Sequence, residues 1–391
     1  MTVSSKAILV LCCAATAVMG AVTNVPAVCL TALAEGLRLG TAGSGAYLSC
    51  AFWGMTAGLV AAGPFADRFG LRLPLCASAL LQAAGLQVTA AAPAAWVACA
   101  GAMLVGLGLG TLDALVTPLV CAVYPDRRAR TANLLHAFYP AGLLAGVLLA
   151  LLLLRLGWSW RGVYRGASLL CLPYGAAALA VALPAATHAG TVRLPVRRLL
   201  GSGPFLLLAV TIFVAGLAEI GPSQWLPAYI ERAGGGTRAA GAVGLLLFGA
   251  TMTAGRLGNS LLGHRLGAVR LLVGGALLAA AMLMLAAVPA PPALNIAALA
   301  VVGLAISGMW PTVLALAGDR FPAAGASMFS LLSATGSMGC IAGPLVVGLV
   351  AERWGLRWGM ASLSAAPLLL AAVASRLSDK PTGARTATSG T

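Results

Sequence analysis

The stretch Met55-Thr56-Ala57-Gly58, continued by Gly63-Pro64-Phe65-Ala66-Asp67-Arg68-Phe69-Gly70-Leu71-Arg72, is written twice in this chain. Its second copy is Met252-Thr253-Ala254-Gly255 followed by Gly263-His264-Arg265-Leu266-Gly267, 197 residues later (252 − 55). The same shift carries Arg68 onto Arg265, Gly70 onto Gly267, Gly106 onto Gly303, Tyr124-Pro125 onto Phe321-Pro322, Gly142 onto Gly339 and Gly146 onto Gly343. One constant offset over so many positions marks an internal duplication into two parallel halves, each about half the chain.

What the halves are made of follows from composition. Of 391 residues, 60% are hydrophobic and 8% charged, whereas a soluble protein carries about 25% charged residues. Apolar runs of about 20 residues recur along the whole length, long enough to cross a hydrocarbon core of ~30 Å. Backbone polar groups at that depth must be satisfied within helices, and the alternation of a membrane barrel is absent. The fold class is all-α and integral to a membrane: twelve transmembrane helices in two pseudo-symmetric six-helix bundles. The predicted spans are 7–33, 44–65, 72–92, 95–123, 131–155 and 162–184, then 204–230, 239–262, 268–288, 293–318, 326–350 and 358–376. Residues 1–184 form the first bundle, 185–203 a polar basic linker, 204–376 the second bundle and 377–391 a disordered tail. Lys6 before an apolar run has the form of a signal peptide, but the repeat maps 204–230 onto 7–33, so this run is the first span.

Of the 24 lysines and arginines, 16 fall at one set of span ends and 8 at the other. The excess assigns both termini and the linker to the cytoplasm, with the chain in the cytoplasmic (inner) membrane. The net charge of +15 is spread between apolar spans rather than gathered in a patch, which argues against nucleic acid. Nine cysteines without a CxxC pair and three scattered histidines suggest neither a metal site nor a disulfide framework. The only lysines, Lys6 and Lys380, lie near the ends, so no phosphate-binding P-loop exists; G-x-S-x-G and H-E-x-x-H are absent too. No cofactor and no enzyme activity are expected, and a monomer is the expected state.

An ionisable residue inside a span is costly and marks function. Of nine acids only Asp113, in span four, and Glu219, in span seven, are placed inside. Asp113 follows Gly106, Gly108 and Gly110 and precedes Thr117-Pro118; Asn133 and His136 share one face at the start of span five. Asp113, Glu219 and His136 are the candidates for proton coupling, because desolvation brings such groups toward neutral pH. Asn24, Asn133, Gln224, Trp225 and Trp310 are the candidates for binding solute by hydrogen bonds and stacking. Trp225 and Tyr229 serve alternatively as interfacial anchors. Gly221, Pro222 and Pro227 should break or bend span seven and free carbonyls toward a cavity, and Thr23-Asn24-Val25-Pro26 is the matching kinked element of span one.

Six plus six spans, a basic linker and Gly63-x-x-x-Asp67-Arg68-x-Gly70-x-Arg72 between spans two and three resemble the major facilitator superfamily. The resemblance implies two bundles that rock about a central site, with alternating access to either side. It makes Gly63, Asp67, Arg68, Gly70, Arg72, Arg256 and Arg265 a gating set, with Asp67 as a latch; His264 replaces the acid in the second copy. The glycine-rich run before Asp113, Asn133-Leu-Leu-His136-x-Phe138, and Glu219 with Trp225-Leu226-Pro227-x-Tyr229 resemble the fucose permease branch of sugar–proton symporters, in which Asp113 matches the span-four acid. Thr117-Pro118 stands for the usual Asn-Pro, and Asn24 for an acid. The expected function is secondary active, proton-coupled transport of a small polar solute, sugar-like or similar. The run Tyr139-Pro140-Ala141-Gly142 lacks the motif of antiporting drug exporters, which favours import. The alternative is a proton-antiport exporter of a small amphiphilic metabolite, siderophore or drug.

Overall fold

The structure, a computed structural model, describes residues 4–184, 196–321 and 325–377; the side chains at 128–130, 133, 196, 260–266, 325–327 and 330 lie outside the described set. The expected tail and most of the expected linker fall outside it as well. Among the described residues the chain is helical, without strands. The first half contains α1 (Ser5–Gly36), α2 (Thr41–Phe69), α3 (Arg72–Ala91), α4 (Ala95–Val123), α5 (Arg128–Arg155), α6 (Trp160–Leu169) and α7 (Cys171–Ala180). A short α8 (Val196–Leu200) precedes the second half: α9 (Gly203–Arg232), α10 (Arg238–Leu266), α11 (Ala268–Ala287), α12 (Pro292–Ile306), α13 (Met309–Arg320), α14 (Gly325–Trp354), α15 (Leu356–Ser362) and α16 (Ala365–Ala374).

Eleven stretches among the described residues are long and apolar enough to cross a membrane, with α12–α13 and α15–α16 each forming one of them. The sixth predicted span is met by α6 and α7, of 10 residues each, interrupted at Leu170. Proline explains every interruption. Pro173 has no N–H for the Leu169 carbonyl, Pro311 none for Ser307 and Pro367 none for Leu363, and the helix lapses at or beside each orphaned carbonyl. The prolines of span seven act otherwise, against expectation: α9 runs unbroken for 30 residues through Pro222 and Pro227. Every residue from Ile220 to Ile230 is buried, so neighbouring helices hold the backbone in place where two hydrogen bonds are missing. Pro26 likewise lies inside an unbroken α1.

The duplication governs helix packing. A β-carbon on Gly106 would overlap the Ala51 carbonyl, and one on Gly303 the Phe248 carbonyl, so α2–α4 and α10–α12 cross at matching glycines. Gly142 against Ala17 and Gly339 against Phe213 repeat the pattern for α1–α5 and α9–α14. Since lipid tails are as apolar as leucine, close van der Waals packing at small residues, rather than hydrophobicity, holds such helices together. Turn geometry repeats too, with left-handed Gly70 (φ 74°) answered by Gly267 (φ 81°). Apolar side chains such as Val60, Leu80, Leu179 and Leu257 are exposed on the outside, the surface that lipid covers.

The two halves meet along α2–α14, α5–α10 and α1–α9. On the side where α1 ends and α2 begins, here the far side, they are tied together. Thr41 Oγ1 donates to Glu352 Oε2 at 2.5 Å, and the Ala42 amide donates to the same oxygen at 3.1 Å. Arg232 Nη2 donates to the Thr31 carbonyl at 3.2 Å and lies 3.8 Å from Glu35 Oε1. One helical stretch deeper, Ser49 Oγ donates to the Ile341 carbonyl at 2.7 Å.

Candidate functional site

At mid-depth the face between the bundles carries charge. Glycines at 106, 108 and 110 let α4 approach its neighbours closely, and Asp113 follows on that packed helix, half-buried. His136 sits two turns into α5 and is exposed, yet it interacts electrostatically with Asp113, and its Nε2 lies 3.2 Å from Thr117 Oγ1. The second half contributes an ion pair: Arg256 Nη2 of α10 to Glu219 Oε1 of α9 at 3.2 Å, with side-chain exposures of 27% and 16%. Arg256 also interacts with His136 across the interface. Tyr139 completes the cluster, close to Thr23 of α1 and to both Glu219 and Arg256. Four helices thus bring two carboxylates, a guanidinium, an imidazole and a phenol together, with Thr23 of a fifth beside them, in a molecule tied shut on the far side.

Three placements differ from the sequence reading. Glu219 is not a carboxylate without a cation, because Arg256 neutralises it; a contact between residues 37 apart depends on how α9 and α10 are rotated. Arg256, expected with the gating set, is engaged at the centre instead. Trp225 and Tyr229 are not interfacial anchors: both are buried, with the Trp225 indole N–H on the Pro344 carbonyl at 3.0 Å and the Tyr229 hydroxyl on the Ala286 carbonyl. Interfacial tryptophans exist elsewhere, as Trp96, Trp158, Trp354 and Trp358 are exposed at far-side helix ends.

Among the other expected binding residues, Asn24 is buried and donates to the Gly20 carbonyl of its own helix at 2.9 Å. Gln224 Nε2 crosses the interface to the Thr23 carbonyl at 3.1 Å. Trp310 is half-buried against Phe52, Ile220, Cys340 and Ile341. Asn133 and Arg265 have side chains outside the described set. In the gating stretch Gly63 faces open space, Asp67 and Arg68 are exposed, Gly70 makes the left-handed turn, and Arg72 Nη2 donates to the Val181 carbonyl at 3.3 Å. Tyr139 and Thr23 were quoted in the sequence only as parts of motifs; nothing local distinguished them from packing residues.

The Major Facilitator Superfamily model matches residues 10–324 and 247–390. The chain belongs to this superfamily. Its own halves, related by the 197-residue repeat, are the two bundles of that family's fold. The gentisate transporter of Corynebacterium glutamicum is 30% identical over 221 residues, 52% of this chain and 49% of that protein. The chain therefore spans about half the length of that relative. Membrane protein MosC of Rhizobium meliloti is 25% identical over 75% of this chain and 72% of its own length. The niacin transporter NiaP of Acinetobacter baylyi is 32% identical over 35% of this chain and 31% of its own. Among solved structures, a D-xylose-proton symporter superposes with a TM-score of 0.80 at 14% identity, covering 96% of this chain and 99% of that one. A mutant of the nucleoside transporter NupG superposes with 0.77 at 13% identity, covering 94% and 99%. These names are those of transporters and a membrane protein, not of enzymes.

Proposed function

We propose that this protein is a secondary active transporter that carries a small polar solute by alternating access and couples it to protons. In this reading the end bearing the first residue of α1 faces the cytoplasm, as the 16-to-8 excess of basic residues suggests, and the protein works as a monomer. The far-side ties hold one end state, with the central cluster reached from the terminus side. In the other end state those ties part, and the Gly63–Arg72 stretch, with Asp67 as latch, closes the terminus side. The carrying observation is the position of Asp113: mid-depth, half-buried, with a titratable histidine as its charge partner while the guanidinium is held by Glu219. A carboxylate so placed binds a proton in one facing state and releases it in the other, and each unit of pKa difference biases the states by ~1.4 kcal/mol. Solutes named for the relatives and the similar structures include acids, a sugar and nucleosides, which supports a small solute in general.

The test is reconstitution in oriented vesicles under an imposed pH gradient with a panel of small solutes. Wild-type protein is expected to accumulate its solute only with the gradient, and the side of accumulation separates symport from antiport. Asp113→Asn, which mimics the protonated form, is expected to lose accumulation while keeping solute exchange at equal concentrations. A variant that still concentrates solute with wild-type pH dependence removes Asp113 from the coupling role.

A further inference from the structure

Arg256 is incompletely used. Its Nη2 binds Glu219 at 3.2 Å, but its Nε–H is buried with no hydrogen-bond partner among the described residues. An unsatisfied buried N–H costs about 1–3 kcal/mol, so such a donor marks a place where something else belongs. Guanidinium presents Nε–H and one Nη–H as a parallel fork that matches the two oxygens of a carboxylate. Glu219 occupies one prong only.

Between α1, α2, α4 and α9 the space is largely apolar. A recess there is lined by Pro26 of α1, Phe52 and Met55 of α2, and Leu109 of α4, one turn before Asp113. Its two polar lining residues are partly engaged: Thr23 Oγ1 donates to the Met19 carbonyl at 2.8 Å, and Gln224 Nε2 to the Thr23 carbonyl. Tyr139, close to Thr23 on one side and to Glu219 and Arg256 on the other, joins recess to fork. A sugar's several hydroxyls would find only Thr23 and Gln224 as partners in such a recess, and each one left over would lose water without compensation. An aryl or alkyl body would lose nothing.

We propose that the solute is a small monocarboxylate with an apolar body, its carboxylate on the Arg256 fork and its body in the recess, taken up together with a proton. This deepens the transport reading above and rests on it. The titratable groups facing the fork are Glu219 on its own bundle, Cys340 on α14, His136 and Tyr139 on α5, and Asp113 on α4 beyond His136. With histidine neutral, two carboxylates against one guanidinium leave one net negative charge, which repels an anion. One proton on Asp113 removes that charge.

Equilibrium binding to purified wild-type protein in detergent tests this without any transport step, using benzoate, benzamide and D-xylose as probes. Benzoate is expected to bind about tenfold or more tighter than its neutral isostere benzamide, and tighter at about pH 5.5 than at about pH 8, while xylose gives no binding. Arg256→Lys keeps the charge without the fork and is expected to erase most of the preference for benzoate; monodispersity in gel filtration checks that it folds. Equal binding of benzoate and benzamide, or binding of xylose, overturns the assignment. Benzoate preference without pH dependence supports the carboxylate site and faults the proton coupling instead. Gradient-driven accumulation of xylose in vesicles overturns the carboxylate site and leaves the coupling standing.

Discussion

At the scale of single residues the Glu219–Arg256 pair fixes much of the local chemistry. Removing one partner leaves the other charge in a low-dielectric interior, which costs more than removing both. Arg256→Ala is therefore expected to lower stability in detergent by about 1–3 kcal/mol, discounted for partial exposure. The double variant Glu219→Ala/Arg256→Ala is expected to recover part of that loss. Additive losses in thermal melts would show that the two side chains do not act as a pair. The pair was not legible in the sequence, because Glu219 and Arg256 were placed in different spans with nothing to set their rotation. Asp113 and His136 were legible as polar residues in apolar runs, and the structure brings them into electrostatic contact. The minority arginines were legible only as a count. Arg161 Nη1 caps the end of α3 at the Ala90 and Ala92 carbonyls (2.7 and 2.8 Å), and Arg357 caps α11 and α9 at Val288 and Ala233 (3.1 and 2.6 Å). Those arginines sit on the far side because helix ends there need donors for their last carbonyls.

Between helices, glycine decides who touches whom. Gly106 lies against the backbone of α2 at Ala51 and Met55, so no side chain fits without parting α2 from α4. Gly106→Val is expected to abolish folded protein, read as loss of the monodisperse peak after extraction; Gly63→Ala, facing open space, is expected to leave it intact. A well-folded Gly106→Val protein would contradict this packing. The crossings were legible because the repeat conserves their glycines within this one chain, at 106 and 303 and at 142 and 339. Proline was read less well. Its effect is not set by burial: Pro173, Pro311 and buried Pro367 interrupt helices, whereas buried Pro222 and Pro227 and exposed Pro64 and Pro118 lie inside unbroken ones.

For the whole molecule, the fold was present in the 197-residue repeat and the apolar runs, since a duplicated six-span unit has few ways to pack. Which side is shut was not present, because the ties that shut it join loop-flanking residues 311 apart, as at Thr41 and Glu352. Those ties bear the central claim that the two bundles part and rejoin on the far side in every cycle. The direct measurement places thiols at both ends of one tie. Thr41→Cys/Glu352→Cys is made in a background lacking the nine native cysteines and treated with a short, reducible thiol cross-linker. Solute exchange is then followed in vesicles. Exchange is expected to stop on cross-linking and return on reduction, while either single variant is unaffected by the reagent. Undiminished exchange through protein shown to be fully cross-linked would contradict alternating access by these two bundles.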